Sequence, residues 1–269
     1  MYVASAVPKI WRNFMLKFLV CVAAGLGAGL GTGFAGMSAA AVISPMLITF
    51  LHMDPYLAVG VALASDVLAS AVSAYTYGKN GNLDVRNGLV MMVSVLCFTA
   101  VGSWIASIVP KATMGSFSVM MTLLLGVKFI VRPVIAPKKR METATARQKA
   151  ARSVICGAAV GFICGFVGAG GGMMMLLVLT SVLGYELKTA VGTSVFIMSA
   201  TALTGAASHF FIGGLPDLPT LILCAASTLI FARVAALFAN RAAPETLNRV
   251  TGAVLVVLGA AILIVRNFG

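Results

Sequence analysis

Ten apolar segments, 14 to 26 residues long, take up most of this chain, and their spacing decides what it can become. They run over residues 16–36, 38–51, 56–77, 88–109, 114–135, 153–167, 169–183, 187–212, 217–239 and 247–266. A helix that crosses the hydrocarbon core of a bilayer needs about 20 apolar residues. Only 10% of the chain is charged and 60% is hydrophobic, whereas soluble domains carry about 25% charged residues. A chain so poor in charge cannot cover a surface that faces water. The pattern predicts an all-α, polytopic transmembrane helical bundle, placed in the cell inner membrane with the lipid bilayer as its solvent. No room is left for a soluble domain.

The net charge of +12 does not point to nucleic acid. The basic residues sit in short stretches between apolar runs, where the excess of Lys and Arg on one side of a membrane places them. The five cysteines lie within apolar runs and show neither metal-ligand spacing nor a disulfide framework. They read as small buried hydrophobes.

Five segments precede the basic stretch "PKKRMETATARQKAAR" (137–152) and five follow it. In each half the second segment is too short to span unaided. Shifting the chain by 132 residues brings "GFAG" (33–36) onto "GFVG" (165–168) and "AVG" (58–60) onto "AVG" (190–192). Over 33–83 against 165–215 the register holds without a gap and gives eleven identities. The expected organisation is a first transmembrane repeat over 1–136, a basic cytoplasmic linker over 137–152 and a second repeat over 153–269. If each pair of leading segments makes one net crossing, there are eight crossings. The basic N-terminus (Lys9, Arg12, Lys17) and the linker then share the inner side. Ten crossings would place them on opposite sides and invert the halves. The charge rule favours eight.

Duplicated halves are a common plan for secondary transporters, whose sites lie between the repeats on discontinuous helices. The matching short segments here are "GTGFAGMSAAAVISP" (31–45) and "GFVGAGGGMMMLLVL" (165–179). Gly168, Gly170, Gly171 and Gly172 crowd a region that should lie within the membrane, although glycine costs about 1 kcal/mol against alanine in a helix. A glycine break followed by a new helix start offers backbone N–H donors to an anion. Gly33, Gly36 and Ser38 hold the equivalent place in the first half. Packing accounts equally for the four-residue row Gly25, Gly29, Gly33, because small residues let helices approach closely.

Thr193 and Ser194 follow the repeated AVG, and Ser65, Asp66 and Ser70 lie in the matching first-half segment. These hydroxyls could donate to an anion, or bond back to their own helix. Asp66 falls midway through its segment. An intramembrane acid is costly and usually functional. It could carry a coupling proton, or pair with a cation for structure alone. Arg233 either snorkels to the interface or neutralises a bound anion. The sequence shows no nucleophile elbow, no metal-binding helix and no phosphate-gripping loop, so an enzyme, a cofactor and a metal are not expected.

The glycine-rich element near the start of each half, the short apolar segment, "AVGTS" opening the next helix and "GxL" after it together resemble the TauE/SafE family of sulfite and organosulfonate exporters. The residues that carry the likeness are Gly165, Gly168, Gly170, Gly171 and Gly172, then Ala190-Val191-Gly192-Thr193-Ser194, then Gly213 and Leu215. Gly33, Gly36, Pro45 and Ala58-Val59-Gly60 are their first-half counterparts. The chain departs from the pattern at "GMSAAAVISP", where Ser and Ala replace the glycine run, and at Leu177, opposite Pro45. The resemblance implies export of a small sulfur-containing oxyanion or a related organic acid. Alternating access would be coupled to a proton or sodium gradient. A cation carrier, a carrier of another organic acid, a membrane enzyme and an assembly subunit are the alternatives, and self-association into a homo-oligomer is compatible with the sequence.

Overall fold

The computed structural model describes residues 9–106, 127, 130, 131, 144–167 and 171–268. Gly168, Gly170 and nearly all of the expected segment 114–135 lie outside them. The elements in order are α1 (Lys9–Ala35), α2 (Ala40–Leu51), α3 (Pro55–Lys79), α4 (Val85–Ala106), α5 (Ala146–Val167), α6 (Gly171–Leu177, continued by a π-helical turn over Val178–Val182), α7 (Leu187–Gly213), α8 (Leu218–Arg241) and α9 (Pro244–Phe268). No strand occurs among the described residues. Residues 146–152, expected as linker, instead form the opening turns of α5.

The bundle is greasy outside as well as in its core, and buries a set of polar side chains besides. Phe211, Leu215, Tyr75 and Ile155 are exposed, whereas Asp66, Ser70, Ser73, Ser194 and Thr228 are wholly buried. Among the described residues four helices are long and apolar enough to cross a membrane: Phe14–Ala35, Leu57–Lys79, Leu187–Phe211 and Leu218–Arg241.

The most extensive helix pairs are α4 with α5, α1 with α8, and α3 with α7. Glycines set two of these seams. Gly25, Gly29 and Gly33 present one face of α1 to α8, and a Cβ on Gly33 would lie 2.5 Å from that of Ala235. Gly157 and Gly161 do the same for α5 against Met91 and Val95 of α4. In both seams residue numbers rise together, so the partners run parallel. The pair α3 and α7 runs the other way. Gly60 lies against His209 and Phe210, Leu63 against Gly205, and Tyr77 against Gly192.

A shift of 132 residues carries α2, α3 and α4 onto 172–183, 187–211 and 217–238, within a few residues of the observed helices. It also exchanges Gly60–His209 with Gly192–Tyr77. The matched helices α3 and α7 are nevertheless antiparallel. The packing places Lys17, at the start of α1, beside Asp217 at 2.7 Å. Arg147, Lys149 and Arg152, at the start of α5, lie at the opposite end of the bundle with Lys79, Arg86, Lys188 and Arg241. The reason is α2: its 12 residues rise about 18 Å, and with the extended connector before it they carry the chain back along α1.

Candidate functional site

Helix α1 stops because Gly36 adopts φ +60°, a left-handed conformation that costs glycine nothing and other residues about 1–2 kcal/mol. The last carbonyls of a helix have no partner within it, and lipid offers none. Here two hydroxyls bond carbonyls of the last turn and two more hold the connector that follows it. Tyr77 Oη donates to Gly33 O at 2.8 Å, Thr251 Oγ1 to Phe34 O at 3.2 Å, Ser194 Oγ to Gly36 O at 3.2 Å, and Thr32 Oγ1 to Met37 O at 2.8 Å.

The start of α6 meets this point. Helix α5 is described to Val167 and α6 from Gly171, and the glycine stretch expected to break the helix between them lies outside the described residues. Gly172 is buried against the Gly36–Ser38 connector. A Cβ on it would overlap Gly36 O and stand 2.9 Å from Ser38 N. Ser194 Oγ, wholly buried on α7, lies 3.2 Å from Gly36 O and 3.4 Å from Gly172 O. One hydroxyl thus bridges a carbonyl of the break after α1 and one at the start of α6.

The carboxylate of Asp66, on α3, reaches the start of α2. Its carboxylate accepts from Ser38 Oγ at 2.7 Å, from Ser70 Oγ at 2.8 Å and from the Ala39 amide. Ser38 Oγ also accepts from the Ala40 amide at 3.3 Å. The first amides of α2, expected to be free for a solute, are therefore engaged by the chain's own side chains. Asp66 is 0% exposed, and among the described residues no cation pairs with it; the ion pair recorded there is Lys17–Asp217.

The structure brings together Gly36, Ser38, Asp66, Gly171, Gly172 and Ser194. Gly33 sits in the α1–α8 seam. Thr193 Oγ1 turns away and accepts from the Asp84 amide at 3.2 Å. Arg233 is exposed on the outer face of α8, away from the crossing. Sequence reasoning missed Tyr77, Thr32 and Thr251. Tyr77 falls at a seven-residue step from Ser70, on the face that Asp66 opens, and that helical spacing is the signal that reveals it. Thr32 and Thr251 carry no such signal.

Where the halves meet at the basic end, Asn82 Nδ2 donates to Asn240 Oδ1 at 2.6 Å, Lys188 Nζ to Asn240 O at 2.9 Å, and Tyr185 Oη to Asp84 Oδ2 at 2.8 Å. Burial and the adjacent Asp84 carboxylate both push the Tyr185 phenol above its ordinary range, so it stays a donor.

The family model described as sulfite exporter TauE/SafE matches residues 21–262. The chain is 26% identical over 218 residues to the probable membrane transporter protein YunE of Bacillus subtilis, covering 74% of this chain and 80% of the relative. It is 26% identical over 216 residues to the probable membrane transporter protein YdhB of the same organism, covering 79% and 86%. The probable membrane transporter protein MJ0441 of Methanocaldococcus jannaschii is 20% identical over 278 residues, covering 96% and 100%.

Proposed function

Because the chain belongs to the sulfite exporter TauE/SafE family and is a multi-pass membrane transporter, we propose that it exports a small anion, sulfite or an organosulfonate, by alternating access at the crossing of the two breaks. The observation that carries this reading is the contact of Gly172 with Gly36 and Ser38 under the bridging Ser194 hydroxyl. Breaks of matched helices at one point are where transporters of duplicated design bind solute. The 132-residue register of the helices supports two inverted repeats, 1–136 and 153–269. The Lys and Arg excess at the linker end supports that end as the inner side of the cell inner membrane, which puts the N-terminus outside.

The coupling follows from hydrogen-bond inventory. A carboxylate only accepts, whereas a protonated carboxyl also donates. While Asp66 is ionised it holds Ser38 Oγ–H and the Ala39 amide. A proton on Asp66 releases donors at the start of α2, and a solute anion takes them. Proton and anion then move together. Gly168, Gly170 and Gly171 would complete the solute site from the second half, while Arg233 stays at the surface.

A sodium-coupled reading has one observation in its favour: Gly36 O, Gly172 O and Ser194 Oγ converge as three buried oxygens. The experiment is transport of labelled sulfite and methanesulfonate in proteoliposomes, with and without sodium and a pH gradient. Flux that needs the pH gradient and disappears in Gly172→Leu is expected. Flux that needs sodium at equal pH supports the second reading. Absence of flux of either anion removes the substrate assignment.

A further inference from the structure

Asp66 opens a line of polar side chains that continues in one direction only. At 100° per residue, Asp66, Ser70, Ser73 and Tyr77 fall within one 60° arc of α3, and all four are 0% exposed. The arc rises about 16 Å along the helix axis. In the other direction the same arc holds Val59, and Ala62 lies just past its edge; both are apolar. Ser70 Oγ already donates to Asp66 Oδ1. Tyr77, at the far end, lies beside Gly192 and close to the half-exposed Asn82 of the basic end. Between them Ser73 Oγ is buried without a hydrogen-bond partner among the described residues. A buried hydroxyl so placed is costly to leave unpaired and calls for a water or a mobile partner.

The fold does not require this polarity. The matched face of α7 carries Met198, Ala202, Gly205 and His209. Ser65 and Thr76, which lie off the arc, both bond to carbonyls of their own helix. Among the described residues no other ionisable group joins the line. Helix α2 has none, Lys17 of α1 is on Asp217, and Cys21 of α1 lies against Cys224 of α8. On α7 Lys188 is on Asn240 O and His209 beside Gly60. On α8 Arg233 and Arg241 are exposed.

We propose that Ser70, Ser73 and Tyr77 form a one-sided proton relay, completed by water at Ser73, which connects Asp66 to the basic end of the bundle and not to the other. This rests on the reading of Asp66 as the proton carrier. Each hydroxyl gives one proton forward and receives one from behind, so only Asp66 changes charge. Tyr77 leaves Gly33 O briefly to take part.

The test uses purified full-length protein and follows the infrared carbonyl band of the protonated Asp66 carboxyl after a rapid pH drop. Asp66→Asn identifies the band. Ser73→Val should slow its appearance about tenfold with the same final amplitude, and Tyr77→Phe should slow it similarly. Ser65→Ala should leave it unchanged. A merely structural Ser73 would alter amplitude, or alter methanesulfonate exchange at equal pH, as much as rate. If Ser73→Val does not insert, Ser73→Ala with deuterated solvent gives the same comparison, since loss of a relay hydroxyl lowers the isotope effect. An unchanged rate in both Ser73 variants overturns the relay while leaving Asp66 as carrier. A band that persists in Asp66→Asn overturns the carrier reading itself.

Discussion

Gly172 is packed so tightly on Gly36 that a Cβ on the first would overlap the carbonyl oxygen of the second. The obstacle is backbone on a connector that two hydroxyls already fix, so it cannot move aside cheaply. Gly172→Ala should therefore destabilise the protein by about 1–3 kcal/mol and abolish transport. Gly36→Ala meets Ser194 Oγ at 2.9 Å and must also adopt φ +60°, which adds about 1–2 kcal/mol. Thermal unfolding in detergent checks both, and wild-type stability in either variant would show that the breaks do not touch.

The exchange of Gly60–His209 with Gly192–Tyr77 predicts unequal effects. A Cβ on Gly192 would run into the Asn82 carbonyl oxygen and stand 2.8 Å from Tyr77 Cβ. On Gly60 the nearest atoms are the Phe210 ring at 3.0 Å and His209 Cβ at 3.2 Å, and a ring edge can swing away. Gly192→Ala should lower the melting temperature by several degrees and Gly60→Ala by less than half as much. Equal losses would contradict the antiparallel packing of α3 on α7.

The helical segments and the break after α1 are legible in the sequence because lipid forces every backbone group into a helix unless the chain has a local reason to leave one. Glycine at 36 and the short segment after it supply that reason. The row Gly25, Gly29, Gly33 reads correctly as a packing face for the same cause. The relative direction of the halves is not legible, since it turns on whether α2 counts as a crossing, and a 12-residue segment is ambiguous by length. Nor is the engagement of the α2 amides by Asp66. That depends on a hairpin bringing residue 66 level with residue 38, a tertiary contact with no periodic signature. Thr193 and Ser194 are adjacent in sequence and equally polar, yet 100° of helix turn sends one to Asp84 and the other to the crossing.

Gly33 separates packing from binding. Its missing side chain makes room for Ala232, Ala235 and Ala236 of α8. Gly33→Ala should cost about 1–3 kcal/mol of stability, while the KM for methanesulfonate in the protein that survives stays at the wild-type value. A raised KM with unchanged stability would move Gly33 from the seam into the solute site.

Asp217 caps α8, accepting from the Thr220 amide at 3.3 Å and from Lys17 Nζ at 2.7 Å. The Lys17 ammonium first, and then Thr220, hold its carboxyl below the usual carboxylate range. A lowered folded-state value means that the contribution is present above the unfolded-state value, near pH 4, and is lost as pH falls through the folded one. Asp217→Asn should lower stability at pH 7 by about 1 kcal/mol or less. The gap to wild type should close below pH 4. A gap that persists in acid would mean that the cap works without charge.

The competition between Asp66 and a solute anion for the donors of α2 gives a pH dependence whose sign is fixed. Methanesulfonate stays ionised at every pH a protein tolerates, so any pH effect on its binding belongs to the protein. If the anion takes Ser38 Oγ–H and the Ala39 amide only when Asp66 carries a proton, binding takes up one proton. Affinity should then rise as pH falls, by up to about tenfold per pH unit where Asp66 is ionised in the empty carrier, and level off once it is protonated. Asp66→Asn mimics the protonated form. It should bind methanesulfonate at the acid-limit affinity of the wild type and with no dependence on pH, yet fail to accumulate it against a gradient. Titration by calorimetry in two buffers of different ionisation heat measures both the affinity and the proton count. Affinity that falls in acid, or an Asp66→Asn protein that binds more weakly than wild type at neutral pH, would mean that the carboxylate supports the solute rather than displacing it.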